Sequence, residues 1–174
     1  MPKYVFVDET KERGYLITAA AFLPGDITMA RRVMRGQVMP GQRRTHFTKE
    51  SNARRKQILD VISGLNPEVR IYDASSVSRR KQREACLEGL VEDLMACDAR
   101  LLVLEKDESI EELDKRLLYR RVRELGCSET LEYRHLRAQE EPLLAIPDAI
   151  AWCWHRGGHW KTYVKEMVVS VRQV

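Results

Sequence analysis

The run Leu101-Leu102-Val103-Leu104 is apolar at four consecutive positions and stops at Glu105. A strand with one solvated face alternates apolar and polar residues, whereas a continuous run marks a strand covered on both faces. Such a strand needs helices above and below the sheet, and the flanking sequence has their period. Leu87, Leu90, Val91, Leu94 and Met95 precede it, and Ile110, Leu113, Leu117, Leu118, Val122 and Leu125 follow it, at helical spacing. The chain is therefore read as α/β.

The remaining segments fit one mixed sheet. Lys3 to Val7 is β-rich and ends at Asp8-Glu9; Thr10 to Gly14 reads as a turn, and Tyr15 to Leu23 as the second strand of a hairpin. Asp26 caps a helix expected to reach Val38, and a second helix is expected from Ser51 to Leu65. Val69 to Tyr72 is a strand, and Ser78 caps the helix that runs to Ala96. Leu131 to His135 reads as a short strand, and Pro142 to Trp154 as a last apolar helix broken at Gly157-Gly158. His46-Phe47 reads as a short strand or edge segment, while Tyr163 to Val174 fits strand or helix equally. The 174 residues match one ordinary domain, so a single domain over 1–174 is expected.

Composition excludes several classes. A hydrophobic share of 44% is too high for a disordered chain. Cys86, Cys97, Cys127 and Cys153 form no C-x-x-C pair and read as reduced thiols rather than a zinc site. The apolar run before Asp8 is too short for a signal peptide, and no later run reaches membrane-spanning length. A soluble, cytoplasmic protein is expected. Phosphate-loop and dinucleotide glycine patterns are missing, as is a nucleophile elbow.

Charge is unevenly spread although the net value is only +4. From Arg31 to Lys56 there are nine basic residues and one acidic residue. Such a block attracts phosphate backbones, or it is a solvated helix face. Arg43, Arg44, Lys49, Arg54 and Arg55 are its candidate nucleic-acid contacts.

Three carboxylates stand where chemistry gathers. Asp8 and Glu105 end apolar strands, and Asp148 follows Pro147 near a helix start. A lone acid buried at a strand end is costly, and several together repel unless a cation neutralises them. Mg²⁺ or Mn²⁺ suits carboxylate oxygens. On the bland alternative, Asp8 and Asp148 are turn and cap residues. His46 and Glu50, four apart, form a surface pair or a proton shuttle with a further ligand. His155 and His159 have metal spacing but are split by glycines. Trp152, Trp154 and Trp160 stack bases, cap the core or fill a homodimer interface.

Four segments in order resemble an uncharacterised ribonuclease H-like domain family. Tyr4-Val5-Phe6-Val7-Asp8-Glu9-Thr10 resembles its Tyr-x-Asp-Glu-Ser opening, and His46-Phe47-Thr48-Lys49-Glu50 its His-x-x-Glu-Leu segment. Leu101 to Glu105 resembles its later strand ending in an acid, and Leu143 to Ala151 its closing Leu-Gln-x-Ala-Asp-x-x-Ala helix. The resemblance implies a ribonuclease H-like fold and metal-dependent phosphodiester hydrolysis. It assigns Asp8, Glu105 and Asp148 as metal ligands and catalytic residues, with Glu9, His46, Glu50 and Asp107 as auxiliaries. Glu105 stands where Asp is usual, and Ala145 and Pro147 replace Gln and Ala. Those departures favour the alternative: a degenerate nucleic-acid or protein-binding module, acting in a defence or mobile-element system. Nucleic acid is the expected partner.

Overall fold

The computed structural model describes residues 1–174 and holds one six-stranded sheet. In chain order the elements are β1 (Lys3–Thr10), β2 (Leu16–Phe22), α1 (Ile27–Arg35), α2 (Asn52–Leu65), β3 (Glu68–Asp73) and α3 (Gln82–Ala96). They continue as β4 (Ala99–Glu105), α4 (Glu111–Glu124), β5 (Glu132–Leu136), α5 (Ala145–Arg156), α6 (Gly158–Val164) and β6 (Val168–Gln173). The strand order is β5-β4-β1-β2-β3-β6. The hairpin β1–β2 and the pair β2–β3 are antiparallel, while β1–β4, β4–β5 and β3–β6 are parallel. Hence β1, β3 and β4 all end at the same edge, where the acids lie. Gly14 makes the hairpin turn: its φ is +96°, and a side chain there would collide with Ser75.

The pleat divides the core in two. Phe6, Leu16, Ala20, Ile71 and Val103 face α1, α2, α5 and α6 in a cluster of 25 buried residues. Val5, Val7, Ile17, Tyr72 and Leu102 face α3 and α4 in a cluster of 20. Full burial of a side chain such as Phe6 contributes about 2–3 kcal/mol. Position parity therefore decides which acid reaches which face. Asp8 and Glu105 follow Phe6 and Val103 onto the α5 face, while Glu9 follows Val7 onto the α3–α4 face.

Several boundaries differ from the sequence reading. Helix α1 stops at Arg35, with Gly36 as its cap. Ser78 makes no side-chain cap; a 3-10 turn, Arg79–Lys81, intervenes before α3. His46-Phe47 is not a strand: Phe47–Lys49 form a 3-10 turn bracketed by His46 and Glu50, so these two share no helix face. The ambiguous C-terminal segment is helix α6 and then edge strand β6. Ser51 does cap α2, accepting from the Arg54 amide at 3.2 Å. Helix α5 is anchored at its start by Glu141, which accepts from Leu143 N–H at 3.2 Å and pairs with Arg31 at 2.7 Å. No helix is long and apolar enough to cross a membrane.

Candidate active site

Parallel pairing of β1 with β4 aligns Val7 with Leu104 and ends there, so Asp8 and Glu105 stand side by side just past the last pair, although β1 itself runs on to Thr10 rather than ending at Asp8. Pro147 lies in the first turn of α5, where its missing N–H costs little, and Asp148 follows it in that turn. Three carboxyls from distant parts of the chain thus meet on one face. Burial pushes the Asp8 carboxyl well above the ordinary range, and the charges of Asp148 and Glu105, with a hydrogen bond from the Asp8–Glu105 pair, push it further. The Glu9 amide, donating to Asp8 Oδ1 at 2.8 Å, opposes this. Asp148 is raised to about 6, first by burial and then by Glu105, against Arg44 and the Phe47 amide.

This repulsion gives a sign to stability. With its folded value near 6 and its unfolded value near 3.8, Asp148 binds its proton more tightly in the folded state. Its ionisation therefore costs about 3 kcal/mol above pH 6, a cost that disappears as pH falls through that value toward 3.8. In EDTA, Asp148→Asn should raise the melting temperature at pH 8 by about 5–10 °C. The gain should shrink at pH 5. A lower melting temperature at pH 8 would instead make Asp148 a structural cap.

A cleft of about 630 Å³ opens beside Asp8 and Glu105, with Arg44, Arg83, Lys106 and Arg137 among its walls. Arg44 stands 3.6 Å from Glu105. His46 lies near Glu105 and Glu50; burial lowers its pKa, as do Arg44 and Lys49. Glu50 keeps one buried oxygen, Oε1, without a partner. Asp107 is an exposed turn residue on the cleft rim whose carboxylate accepts from the Ser109 hydroxyl at 2.6 Å and amide at 2.9 Å. Those bonds hold its pKa low.

Glu9 is separated from the acidic trio. It accepts from the Tyr15 hydroxyl at 2.5 Å, pairs with Lys11 at 2.8 Å, and binds Arg83. Arg83 also grips Asp114, Nη2 to Oδ2 at 2.6 Å, and His135 Nε2 lies 3.1 Å from the same oxygen. Asp114 is fully buried. Burial alone would raise its pKa, but the Arg83 and His135 hydrogen bonds outweigh burial and hold it low. The sequence reading missed this network, although its signal was present. Ile110, Asp114, Leu118 and Val122 are four apart, so Asp114 interrupts an apolar helix stripe and requires a buried partner.

The basic segment is divided in use. Arg55 donates to the Phe47 carbonyl at 3.0 Å and the Thr48 carbonyl at 2.6 Å, and its guanidinium lies 4.3 Å from the Trp152 ring centre. Arg54 donates to the Gln37 carbonyl at 2.6 Å. Both hold the loop that carries His46 and Phe47. Arg43 and Lys49 are exposed. Arg55→Ala should lower stability by about 1–3 kcal/mol and loosen Trp152; thermal melting and tryptophan fluorescence check this. Trp152 packs edge-on to Phe47 at 5.4 Å and to buried Trp160 at 5.3 Å. These two tryptophans close the core, while Trp154 lies under Lys161. The four cysteines form no disulfide.

No three His, Cys, Asp or Glu side chains stand in metal-ligating geometry, His155 and His159 included. The donor chemistry of the trio nevertheless suits a hard divalent cation: all three groups are carboxyls, and they repel. Thr18, opposite Asp8 in the β1–β2 register, adds a buried hydroxyl without a partner.

The sheet order and the two helical layers define a ribonuclease H-like fold. A chain in the structure of the PCNA:RNase HII complex from Archaeoglobus fulgidus aligns over 96% of this chain and 76% of its own, with 13% identity and a TM-score of 0.55. The ribonuclease H2 from Pyrococcus horikoshii OT3 aligns over 86% of this chain and 70% of its own, with 11% identity and a TM-score of 0.48. Neither a protein-family model nor a curated protein sequence matches the chain.

Proposed function

We propose that this chain is a divalent-metal-dependent nuclease acting as one domain over residues 1–174, with Asp8, Glu105 and Asp148 as the ligands of Mg²⁺ or Mn²⁺. The observation that carries this reading is the meeting of three mutually repelling carboxyls, two of them with raised pKa values, beside a cleft with basic walls. When bound, the metal supplies an activated water and charge to stabilise the leaving oxygen of a phosphodiester. Asp8 is fixed by the Glu9 amide, and the Phe47 amide favours the ionised form of Asp148. Arg44 and Lys106 draw the phosphate to the cleft. His46, kept neutral by burial and nearby cations, is positioned to take a proton near Glu105. Glu50 is a further ligand or a hold on His46. Glu9 acts through Arg83 and Tyr15 rather than as a ligand.

The second reading is a degenerate binding module, which the lack of a formed three-ligand geometry favours. One experiment separates the two. Purified protein with Mn²⁺ or Mg²⁺ should cut at least one of single-stranded RNA, single-stranded DNA, duplex DNA and an RNA–DNA hybrid, and EDTA should stop the cutting. Inactivity on all four, with no Mn²⁺ binding by calorimetry, would support the binding module.

A further inference from the structure

Arg79, Arg80 and Lys81 form the 3-10 turn between β3 and α3, at the same sheet edge as Asp8 and Glu105. All three are exposed and form no salt bridge or side-chain hydrogen bond. By contrast, Arg83, Arg120, Arg121 and Arg172 each hold two or more acidic partners. Three consecutive cations left unpaired repel one another unless an outside anion relieves them.

Their position gives them a direction. Arg79 and Arg80 line a groove of about 460 Å³ with Lys11. Glu9, Arg83 and Ile110 line both this groove and the acidic cleft, so the two share a wall. On the opposite side, Arg54 and Arg55 are committed to backbone carbonyls, and Arg44 faces Glu105. Arg43 and Lys49 are exposed and unpaired on that side, but they stand apart in the chain, whereas Arg79, Arg80 and Lys81 form a run of three consecutive free cations, which the sequence reading did not single out.

We propose that Arg79, Arg80 and Lys81, with Lys11, form a phosphate-binding arm that holds the polynucleotide backbone where it leaves the acidic cleft along the α3 side. The proposal rests on the nuclease reading for the cleft, but it concerns binding, so its test does not depend on cutting. Each phosphate neutralised releases counterions, giving a salt slope of about −0.9 per contact on duplex and about −0.7 on single strands.

The test is fluorescence anisotropy with labelled duplex and single-stranded oligonucleotides in EDTA, from 50 to 300 mM salt. Arg79→Ala/Arg80→Ala/Lys81→Ala should reduce the salt slope by about 2–3 and weaken binding at least tenfold at low salt. These exposed side chains hold nothing in the fold, so the melting temperature should stay unchanged. Arg100→Ala/Lys165→Ala, at the other end of the sheet, should leave the slope unchanged. If the triple variant keeps the wild-type slope while wild type binds steeply, the arm is wrong and the cleft assignment survives. If wild type shows no salt-dependent binding to any oligonucleotide, the arm and the nuclease reading both fall.

Discussion

Asp8→Asn should reduce metal-dependent cleavage on the order of 10²–10³-fold while leaving the protein folded. The side chain lies where the β1–β4 pairing stops, close enough to Glu105 and Asp148 for their charges to raise its pKa. The substitution keeps the shape and removes a charge that is itself repelled by two others. Melting in EDTA should therefore be unchanged or improved, which distinguishes loss of function from loss of fold. Equal activity in wild type and variant would point to a contaminating nuclease.

The largest stability effect is expected at Asp114. Asp114→Ala leaves His135 without its acid and Arg83 with Glu9 as its one remaining acidic partner, and breaking a buried pair this way costs about 3–5 kcal/mol. The melting temperature should fall by roughly 6–20 °C. Because the Asp114 pKa is held below its unfolded value, the stability it brings is complete above about pH 4 and is lost as pH falls through the folded value. The gap between wild type and variant should accordingly narrow only at strongly acid pH. Arg83→Leu combined with Asp114→Leu should be less damaging than either change alone, because neither charge is then left unpaired. Additive losses would show that the two residues act independently.

The outline of the site was legible because apolar runs stop at acids. Glu105 could be placed at the end of β4 from Leu101 to Leu104 alone, while Asp8 ends the apolar run Val5-Phe6-Val7 but not the strand, which continues to Thr10. Their convergence with Asp148 depends on parallel β1–β4 pairing and on helix α5 crossing that face, which a linear pattern does not encode. Parity was also hidden: Glu9 adjoins Asp8 in sequence but faces the other layer. The C-terminal strand resisted assignment because β6 is an edge. Val169 and Val171 are 55% and 44% exposed, so no buried face imposes alternation on the sequence. Counting charge over Arg31 to Lys56 located a basic segment but could not tell that Arg54 and Arg55 bind carbonyls of their own loop. The shorter run at Arg79 to Lys81 is freer, because nothing packs against it.

The most direct measurement is anomalous diffraction from crystals soaked in Mn²⁺. A manganese peak at the cluster of Asp8, Glu105 and Asp148 carboxylates is the expected result. Ordered manganese elsewhere, or none at this cluster at saturating concentration, would contradict the account.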